Sequence, residues 1–256
     1  MDVTNRFVLD FCRNFAGEHP AAPILDFGCG CGELVAAGIA AGLPMVGADI
    51  FYKGSSARSL AESRGLLGSS VLEICGSRLP FPDARFGLIV NNQVMEHVED
   101  LEGVLAELHR ILVPGGLLLS LFPSRDVFRE GHIGIPFAHW FKPNSRARFY
   151  YTWTLRTCGL GTWKQEAPSA RQWAIDKLLW IDDYTRYRTR TEIFSAYARY
   201  FRNETREVDY IRYRLLDRPG RAWIASTLRF RPGAAAARAI FRKLAFFVIL
   251  SRKEPR

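Results

Sequence analysis

The chain has 256 residues, of which 48% are hydrophobic and 24% are charged. This length and composition are those of a globular protein with a sizeable core, and they fit a single α/β domain with an insertion, spanning 1–256, better than two domains. No apolar run approaches the roughly 18–20 residues that a membrane span requires, and the N-terminus lacks the basic start and apolar block of a secretory signal. Five cysteines without CxxC pairs or zinc-like spacing favour a reducing cytoplasm.

The formal net charge of +9 is divided unevenly along the chain. Residues 1–124 hold 8 Lys and Arg against 14 Asp and Glu, whereas residues 125–256 hold 27 against 12. A solvated basic surface is one explanation. The other is that the second half faces an anionic partner, such as an acidic or phosphorylated substrate, a nucleic acid or membrane headgroups.

Predicted strands and helices alternate in the first half of the chain, as in an α/β domain. Asp100 is placed to cap the last of these helices. The predicted elements, in chain order, are a helix over 4–16, a buried strand ending at Phe27, an alanine-rich helix after Glu33, a strand ending at Asp49, a helix within 54–65, a strand over 71–75, a strand from the LPFPD turn to 91–93, a helix over 101–112 and a strand over 117–122.

Beyond residue 123 the pattern changes. An aromatic-rich and arginine-rich stretch follows the fifth strand, where an inserted element over about 126–200 would form a lid or an acceptor pocket. Helices are expected within 171–201. Their aromatic residues either belong to a core or, together with Arg186, Arg188 and Arg190, bind a sugar ring and an anionic group. The remaining predicted elements are an alternating strand over 207–216, a helix within 234–247, and a final antiparallel edge strand within 246–253, for which a membrane-surface helix is the alternative.

A glycine-rich turn follows the first strand as DFGCGCG at 26–32. Strand, glycine turn and helix form the opening unit of a nucleotide-binding domain, in which glycines let the backbone lie directly against a ligand. A dinucleotide-binding fingerprint needs a third glycine at the position where this chain has Glu33, so the motif is not that fingerprint. Carboxylates at the turn would repel a phosphate but would accept hydrogen bonds from an ammonium group. Asp49 is placed to accept both ribose hydroxyls. A ligand with a ribose, a positive charge and no phosphate is S-adenosylmethionine.

The DFGCGCG motif with Asp49 resembles the cofactor motif of the class I S-adenosylmethionine-dependent methyltransferases, and the strings LPFPD, EHV and PGG are similar to the same family. The resemblance covers most of 20–125 and implies a doubly wound, mostly parallel seven-stranded sheet (a Rossmann-like fold), with a common core over about 20–125 and 203–253. It implies S-adenosylmethionine as the cofactor. The binding site implied by the resemblance comprises Asp26, Gly28, Gly30, Cys31, Asp49, Ile50, Gly76, Ser77, Asn91 and Gln93.

Two positions depart from the family pattern on the side that would hold the adenine ring. The acid that usually contacts the adenine amino group is replaced by Cys75, and the acid that usually opens the fourth strand is replaced by Gly87. A backbone amide at Gly76 or Ser77 can still hydrogen-bond the ring. We therefore expect cofactor binding to be retained with weaker affinity.

Three histidines are candidate catalytic groups. His97 follows the fourth strand in the string Glu-His-Val, where it either orients the loop or acts as a general base. His132 and His139 flank Gly-Ile-Pro-Phe in the insertion, where each is a satisfied loop residue, a base or a hydrogen-bonding group for an acceptor hydroxyl. Two histidines seven residues apart with no third ligand at zinc spacing do not indicate a metal, so no metal site is predicted.

Methyl transfer from a sulfonium requires alignment and exclusion of water, and a base only when the acceptor is a weakly acidic hydroxyl. The leading hypothesis is O-methylation of a small molecule, with a saccharide or phosphorylated glycan hydroxyl as first choice; GHIGIPFAHWF also resembles methyltransferases encoded among surface-glycan genes. One alternative is a nucleic-acid methyltransferase, although no Asn-Pro-Pro-Tyr-type motif or RNA module is present. The other is a non-catalytic cofactor-binding protein on the same fold.

Overall fold

A seven-stranded sheet forms the centre of the protein. The computed structural model describes residues 1–52, 54–218 and 220–255. Its strands follow the order β3-β2-β1-β4-β5-β7-β6, and every pair is parallel except those that β7 makes with β5 and β6. The strands are β1 (Ile24–Phe27), β2 (Met45–Asp49), β3 (Val71–Glu73), β4 (Phe86–Asn92), β5 (Leu112–Phe122), β6 (Arg202–Thr205) and β7 (Phe247–Arg252). The predicted doubly wound, mostly parallel sheet is confirmed.

Helices cover both faces of the sheet and fill the segment between β5 and β6. Asp100 caps the helix after β4, because its carboxylate accepts a hydrogen bond from the Gly103 amide at 2.9 Å. The helices are α1 (Val3–Glu18), α2 (Glu33–Ala40), α3 (Ala57–Ser63), α4 (Leu101–Ile111), α5 (Arg146–Thr157), α6 (Ala170–Tyr184), α7 (Arg190–Ala198), α8 (Glu207–Leu216), α9 (Ala222–Thr227) and α10 (Arg231–Leu244).

Two hydrophobic cores lie on opposite faces of the sheet because side chains alternate along each strand. Leu25 and Ile89 pack with α4 and α7 on one face. Ile24 and Leu88 pack with α1 on the other face, where Tyr210 of α8 joins them. A third cluster, centred on Trp173 of α6, holds the insertion together. The insertion therefore has packing of its own above one edge of the sheet.

The structure corrects two predictions for the C-terminal part. Residues 207–216, predicted as an alternating strand, form α8, in which the buried residues Glu207 and Tyr210 are one helical turn apart. Tyr210 packs against Phe7 of α1 with ring centroids 5.1 Å apart, so tertiary packing selects the helix. The final strand β7 is antiparallel as predicted, but it lies between β5 and β6 rather than at the edge. The edge position belongs to β6, whose polar sequence RNET gives no strand signal.

None of the helices built from the described residues combines the length and the apolar character that crossing a bilayer requires.

A carboxyl group lies inside the sheet on β1, the strand between β2 and β4. Asp26 is 4% exposed. Burial raises the pKa of Asp26 to about 7, and the nearby charge of Asp49 adds to this shift. The folded chain therefore holds a proton on Asp26 at pH values where the unfolded chain has released it, so the ionised carboxylate destabilises the fold at higher pH.

We expect Asp26→Asn to remove a pH dependence of stability. A raised carboxyl pKa contributes stability that is full at low pH and is lost as the pH rises from about 4 through 7. Between pH 5 and pH 8 the free energy of unfolding of the variant, measured by urea titration, should rise relative to wild type by about 2–3 kcal/mol, since one pKa unit corresponds to about 1.4 kcal/mol. Asp176→Asn, at an exposed position, is the control. A constant difference between Asp26→Asn and wild type at both pH values would contradict the prediction.

Candidate active site

The glycine turn joins β1 to α2 through backbone conformations that residues with a side chain rarely adopt. Gly28, Gly30 and Gly32 have φ angles of 75°, 52° and 73°. A Cβ atom on Gly28 would lie 2.4 Å from Val94 Cγ2, whereas one on Gly30 would meet no heavy atom of the described residues within 4 Å. Gly28 thus allows the turn to pack against the loop after β4, and Gly30 borders open space in which a ligand can lie against the backbone.

Asp49 lies beside this turn at the carboxyl end of β2. Its Oδ2 accepts a hydrogen bond from the Gly30 amide at 2.8 Å, and its Oδ1 accepts one from the Phe51 amide at 2.7 Å. Each carboxylate oxygen can accept a second bond. Ile50, the next residue, is 61% exposed, and Cys31 holds Arg64 through its carbonyl at 2.7 Å. The predicted ribose-binding acid and the glycine turn are therefore brought together by a direct contact.

The start of α1 contacts the same edge through Asn5, a residue that the sequence did not single out. Asn5 Nδ2 donates to Glu33 Oε2 at 3.1 Å, and Asn92 Nδ2 donates to Asn5 Oδ1 at 2.9 Å. This chain of hydrogen bonds links the turn to the end of β4. No pattern in the sequence marks Asn5, because it reads as an ordinary polar position of an amphipathic helix.

The side of the edge next to β3 is open. Gly76, with a φ of 88°, and Ser77 lie in an exposed loop with Cys75. Packing explains why position 87 is a glycine, since a Cβ there would lie 2.8 Å from Ala22 Cβ and 3.0 Å from Phe15 Cζ. An acid at this position would therefore collide with the helix that covers the strand.

The two predicted residues at the end of β4 have different surroundings. Asn91 is fully buried, and its Nδ2 donates to Ser120 Oγ at 2.9 Å, which also lies 3.0 Å from the Tyr197 hydroxyl. Gln93 is exposed with a φ of 58°, and its amide donates to the Leu121 carbonyl at 2.7 Å. Asn91 therefore belongs to a polar network inside the sheet, and Gln93 lies at the open edge.

Two of the three predicted histidines meet at this edge. The rings of His97 and His132 are 5.1 Å apart between centroids. His97 Nδ1 lies 2.6 Å from the Tyr184 carbonyl, and His132 Nδ1 lies 2.8 Å from Glu130 Oε1. Burial lowers the pKa of His97, which favours the neutral ring.

His139 lies elsewhere in the insertion, apart from the other two histidines. It is 7% exposed, and its Nε2 is 3.1 Å from the Arg125 carbonyl. Burial lowers its pKa. Its ring packs 4.9 Å from that of Tyr187, whose hydroxyl is 3.0 Å from His132 Nδ1. His139 is thus connected to the histidine pair through Tyr187.

Glu96, a buried acid in the loop after β4, is another residue that the sequence analysis missed. It is 1% exposed, and neither carboxylate oxygen has a hydrogen-bond partner among the residues that the structure describes. Burial raises the pKa of Glu96 to about 8, and the charge of Glu130 contributes. The signal was present in the string Glu96-His97, but a glutamate in a recurrent family string reads as part of the loop.

A second buried acid, Glu130, supports His132 from the insertion. It is fully buried and accepts hydrogen bonds from the Ile133 amide at 2.6 Å and from the Tyr187 hydroxyl. Burial alone would raise its pKa, but the hydrogen bonds from His132, Tyr187 and Ile133 lower it overall. Glu130 is therefore a carboxylate that fixes the His132 ring.

The arginines predicted to grip an anionic acceptor mostly bind the backbone instead. Arg188 donates to the Val98 and Glu99 carbonyls at 2.8 and 2.7 Å. Arg186 donates to carbonyls at the end of α6, among them that of Asp182 at 2.9 Å, and its own amide donates to the Glu96 carbonyl at 2.6 Å. These contacts fasten the insertion to the loop that carries Glu96 and His97.

Comparisons with known proteins agree with this geometry. A family model described as a methyltransferase domain matches residues 25–120. A demethylmenaquinone methyltransferase of Thermus thermophilus is 36% identical over 133 residues, which are 50% of this chain and 59% of that protein. A ubiquinone biosynthesis O-methyltransferase of Cereibacter sphaeroides is 27% identical over 126 residues, 48% of this chain and 51% of that protein. The chain thus spans about half the length of these curated relatives.

A solved structure shows the same fold over nearly the whole chain. The S-adenosylmethionine-dependent methyltransferase of Mesorhizobium loti superimposes with a TM-score of 0.51 and 17% identity, covering 91% of each chain. The sheet order, the glycine turn held by Asp49 and the matched family model agree. Residues 25–120 thus match a methyltransferase domain, and the chain has the fold of a solved S-adenosylmethionine-dependent methyltransferase.

Proposed function

We propose that this protein transfers a methyl group from S-adenosylmethionine to a hydroxyl oxygen of a small molecule, with a saccharide or phosphorylated glycan as the acceptor class. The observation that carries the proposal is the contact between Asp49 and Gly30, which sets a carboxylate with free acceptor capacity beside a turn open to a ligand. Asp26 supplies a second acid below the turn. The similarity to a protein named as an O-methyltransferase supports the same reaction.

The cofactor would lie across the carboxyl ends of the central strands, where open α/β sheets bind their ligands. The ribose would meet Asp49 and Ile50, and the adenine would lie near Gly76 and Ser77. The methionine part would lie along the turn formed by Asp26, Gly28, Gly30 and Cys31 toward Gln93, with Asn91 supporting the strand end from below.

The acceptor would enter beside His97 and His132. In the reaction the acceptor oxygen forms a bond to the methyl carbon while the carbon–sulfur bond breaks and its electron pair stays on sulfur. The hydroxyl proton passes to one of these imidazoles or to solvent. The insertion covers part of this edge, because Trp180 packs against His132 with ring centroids 5.1 Å apart, and such cover limits the access of water to the reacting atoms. The excess of basic residues after residue 124 favours an anionic acceptor.

We expect Asp49→Ala to weaken binding of S-adenosylmethionine roughly 10- to 100-fold in isothermal titration calorimetry, because hydrogen bonds to charged groups contribute about 1.5–3 kcal/mol each. Asp83→Ala is the matched control, since Asp83 is an exposed acid that pairs with Arg110 before β4. Unchanged affinity in Asp49→Ala would count against the assignment of the cofactor site.

Turnover is expected to fall about 100-fold in His132→Ala and also to fall in His139→Ala, with little change in cofactor affinity, since a positioned acid–base or hydrogen-bonding group contributes about 10²–10⁴-fold. The acceptor is first found by a thermal-shift screen of sugar phosphates and lipid-linked glycans. His19→Ala, at an exposed position after α1, should keep the wild-type rate. Wild-type turnover in both insertion variants would remove these histidines from the reaction.

A further inference from the structure

Three potential metal ligands converge at the acceptor side of the site. One ligand atom from each of Glu96, His97 and His132 lies within 4.8 Å of the other two. Bonds of about 2.0–2.2 Å to zinc place neighbouring ligand atoms about 3–4 Å apart, so the three ligand atoms lie near the separation that a bound ion requires. Glu96 and His97 come from the loop after β4, and His132 comes from the insertion. The set therefore forms only when the insertion is folded against the sheet.

The Glu96 carboxylate is oriented into this set without a partner. It is 1% exposed, and both oxygens lack hydrogen-bond donors among the residues that the structure describes. Burying a carboxylate without a hydrogen bond or a countercharge is costly, and buried charges are normally paired or bound to a metal. The missing partner of Glu96 is thus an observation separate from the spacing of the three residues.

In both histidines the hydrogen-bond partners leave Nε2 as the nitrogen with a free lone pair. The Tyr184 carbonyl can only accept, so His97 Nδ1 carries the proton and its Nε2 keeps the lone pair. The Glu130 carboxylate fixes His132 in the same way. Metal-binding histidines commonly donate their second ring N–H to a carbonyl or a carboxylate. Here the arrangement exists on both rings.

The charge of the cluster also fits a cation. Glu96 and Glu130 are both buried, and none of the ion pairs within 1–52, 54–218 and 220–255 brings a lysine or arginine to either one. Among the described residues, His132 is the one ion-pair partner of Glu130, and its ring is charged only when it is protonated. A divalent ion at the three ligands would balance both acids.

We propose that Glu96, His97 and His132 bind a divalent transition-metal ion of the Zn²⁺ or Co²⁺ class, whose open coordination positions take the acceptor oxygen. The second half of this statement rests on the proposed function. Two histidines with one carboxylate are a ligand set that leaves positions open for water or substrate. This revises the expectation of no metal site, which considered His132 with His139 and not with Glu96.

The ion would make a separate base unnecessary. Coordination of the acceptor hydroxyl lowers its pKa, so that the proton passes to solvent before methyl transfer. The resulting alkoxide then attacks the methyl carbon, and the sulfonium becomes a neutral thioether. His132 Nε2 would act as a ligand rather than a base, because one lone pair cannot do both.

Co²⁺ titration of the chelator-treated full-length protein, without cofactor or acceptor, tests the site by visible absorption. Wild type should bind one equivalent, and Zn²⁺ should displace it. Glu96→Gln and His132→Ala should each lower the affinity at least about tenfold, since removal of an outer hydrogen-bond partner already costs 10–100-fold. Glu130→Gln should weaken binding within that range. His19→Ala is the control for surface histidines, and its Co²⁺ affinity should equal that of wild type.

Thermal unfolding in the presence of Zn²⁺ guards against variants that fail to fold. Wild type should gain stability from Zn²⁺, and folded His132→Ala, judged by circular dichroism, should gain none. Absence of Co²⁺ binding in wild type, or equal binding in all variants, would overturn the metal proposal. Calorimetric binding of S-adenosylmethionine by the same samples is independent of it, so a failed metal site leaves the proposed cofactor site testable.

Discussion

The hydrogen bond from the Gly30 amide to Asp49 ties together the ends of two neighbouring strands, and the candidate site is arranged around it. It fixes the glycine turn in a left-handed conformation that only glycine adopts without strain. Gly28 then fits against Val94, which places the loop carrying Glu96 and His97 beside the turn. One contact at the sheet edge thus joins the residues of the proposed cofactor site to the loop that carries the proposed acceptor groups.

The insertion is positioned by main-chain contacts more than by charge. Arg186 and Arg188 bind backbone groups of residues 96–99, and His97 reaches the end of α6. These bonds hold the insertion against the loop that carries Glu96 and His97. A cluster of buried acids and imidazoles is costly to assemble in a core, and the insertion maintains it with its own hydrophobic cluster around Trp173.

The strand, glycine turn and helix of the proposed cofactor site could be predicted as structural elements because their signals are local. The strand, turn and helix around Gly30 lie within seventeen residues of sequence, from Ile24 to Ala40, and Asp49 ends the next apolar run. The cluster of Glu96, His97 and His132 could not be predicted, since Glu96 and His132 are distant in sequence and meet only through the packing of the insertion. The α8 helix was missed for a related reason: Tyr210 alternates with polar residues like a strand residue, and only its contact with Phe7 favours the helix.

The position of β7 between β5 and β6 has a consequence for the order of assembly. Residues 202–205 are synthesised more than forty residues before 247–252, the strand that supplies their hydrogen bonds. Until then β5 presents an unpaired edge, although the strands on its other side can already pair. A nascent chain on the ribosome must therefore keep that edge from pairing with other chains, and closing this long loop is expected to be a slow, late step in folding.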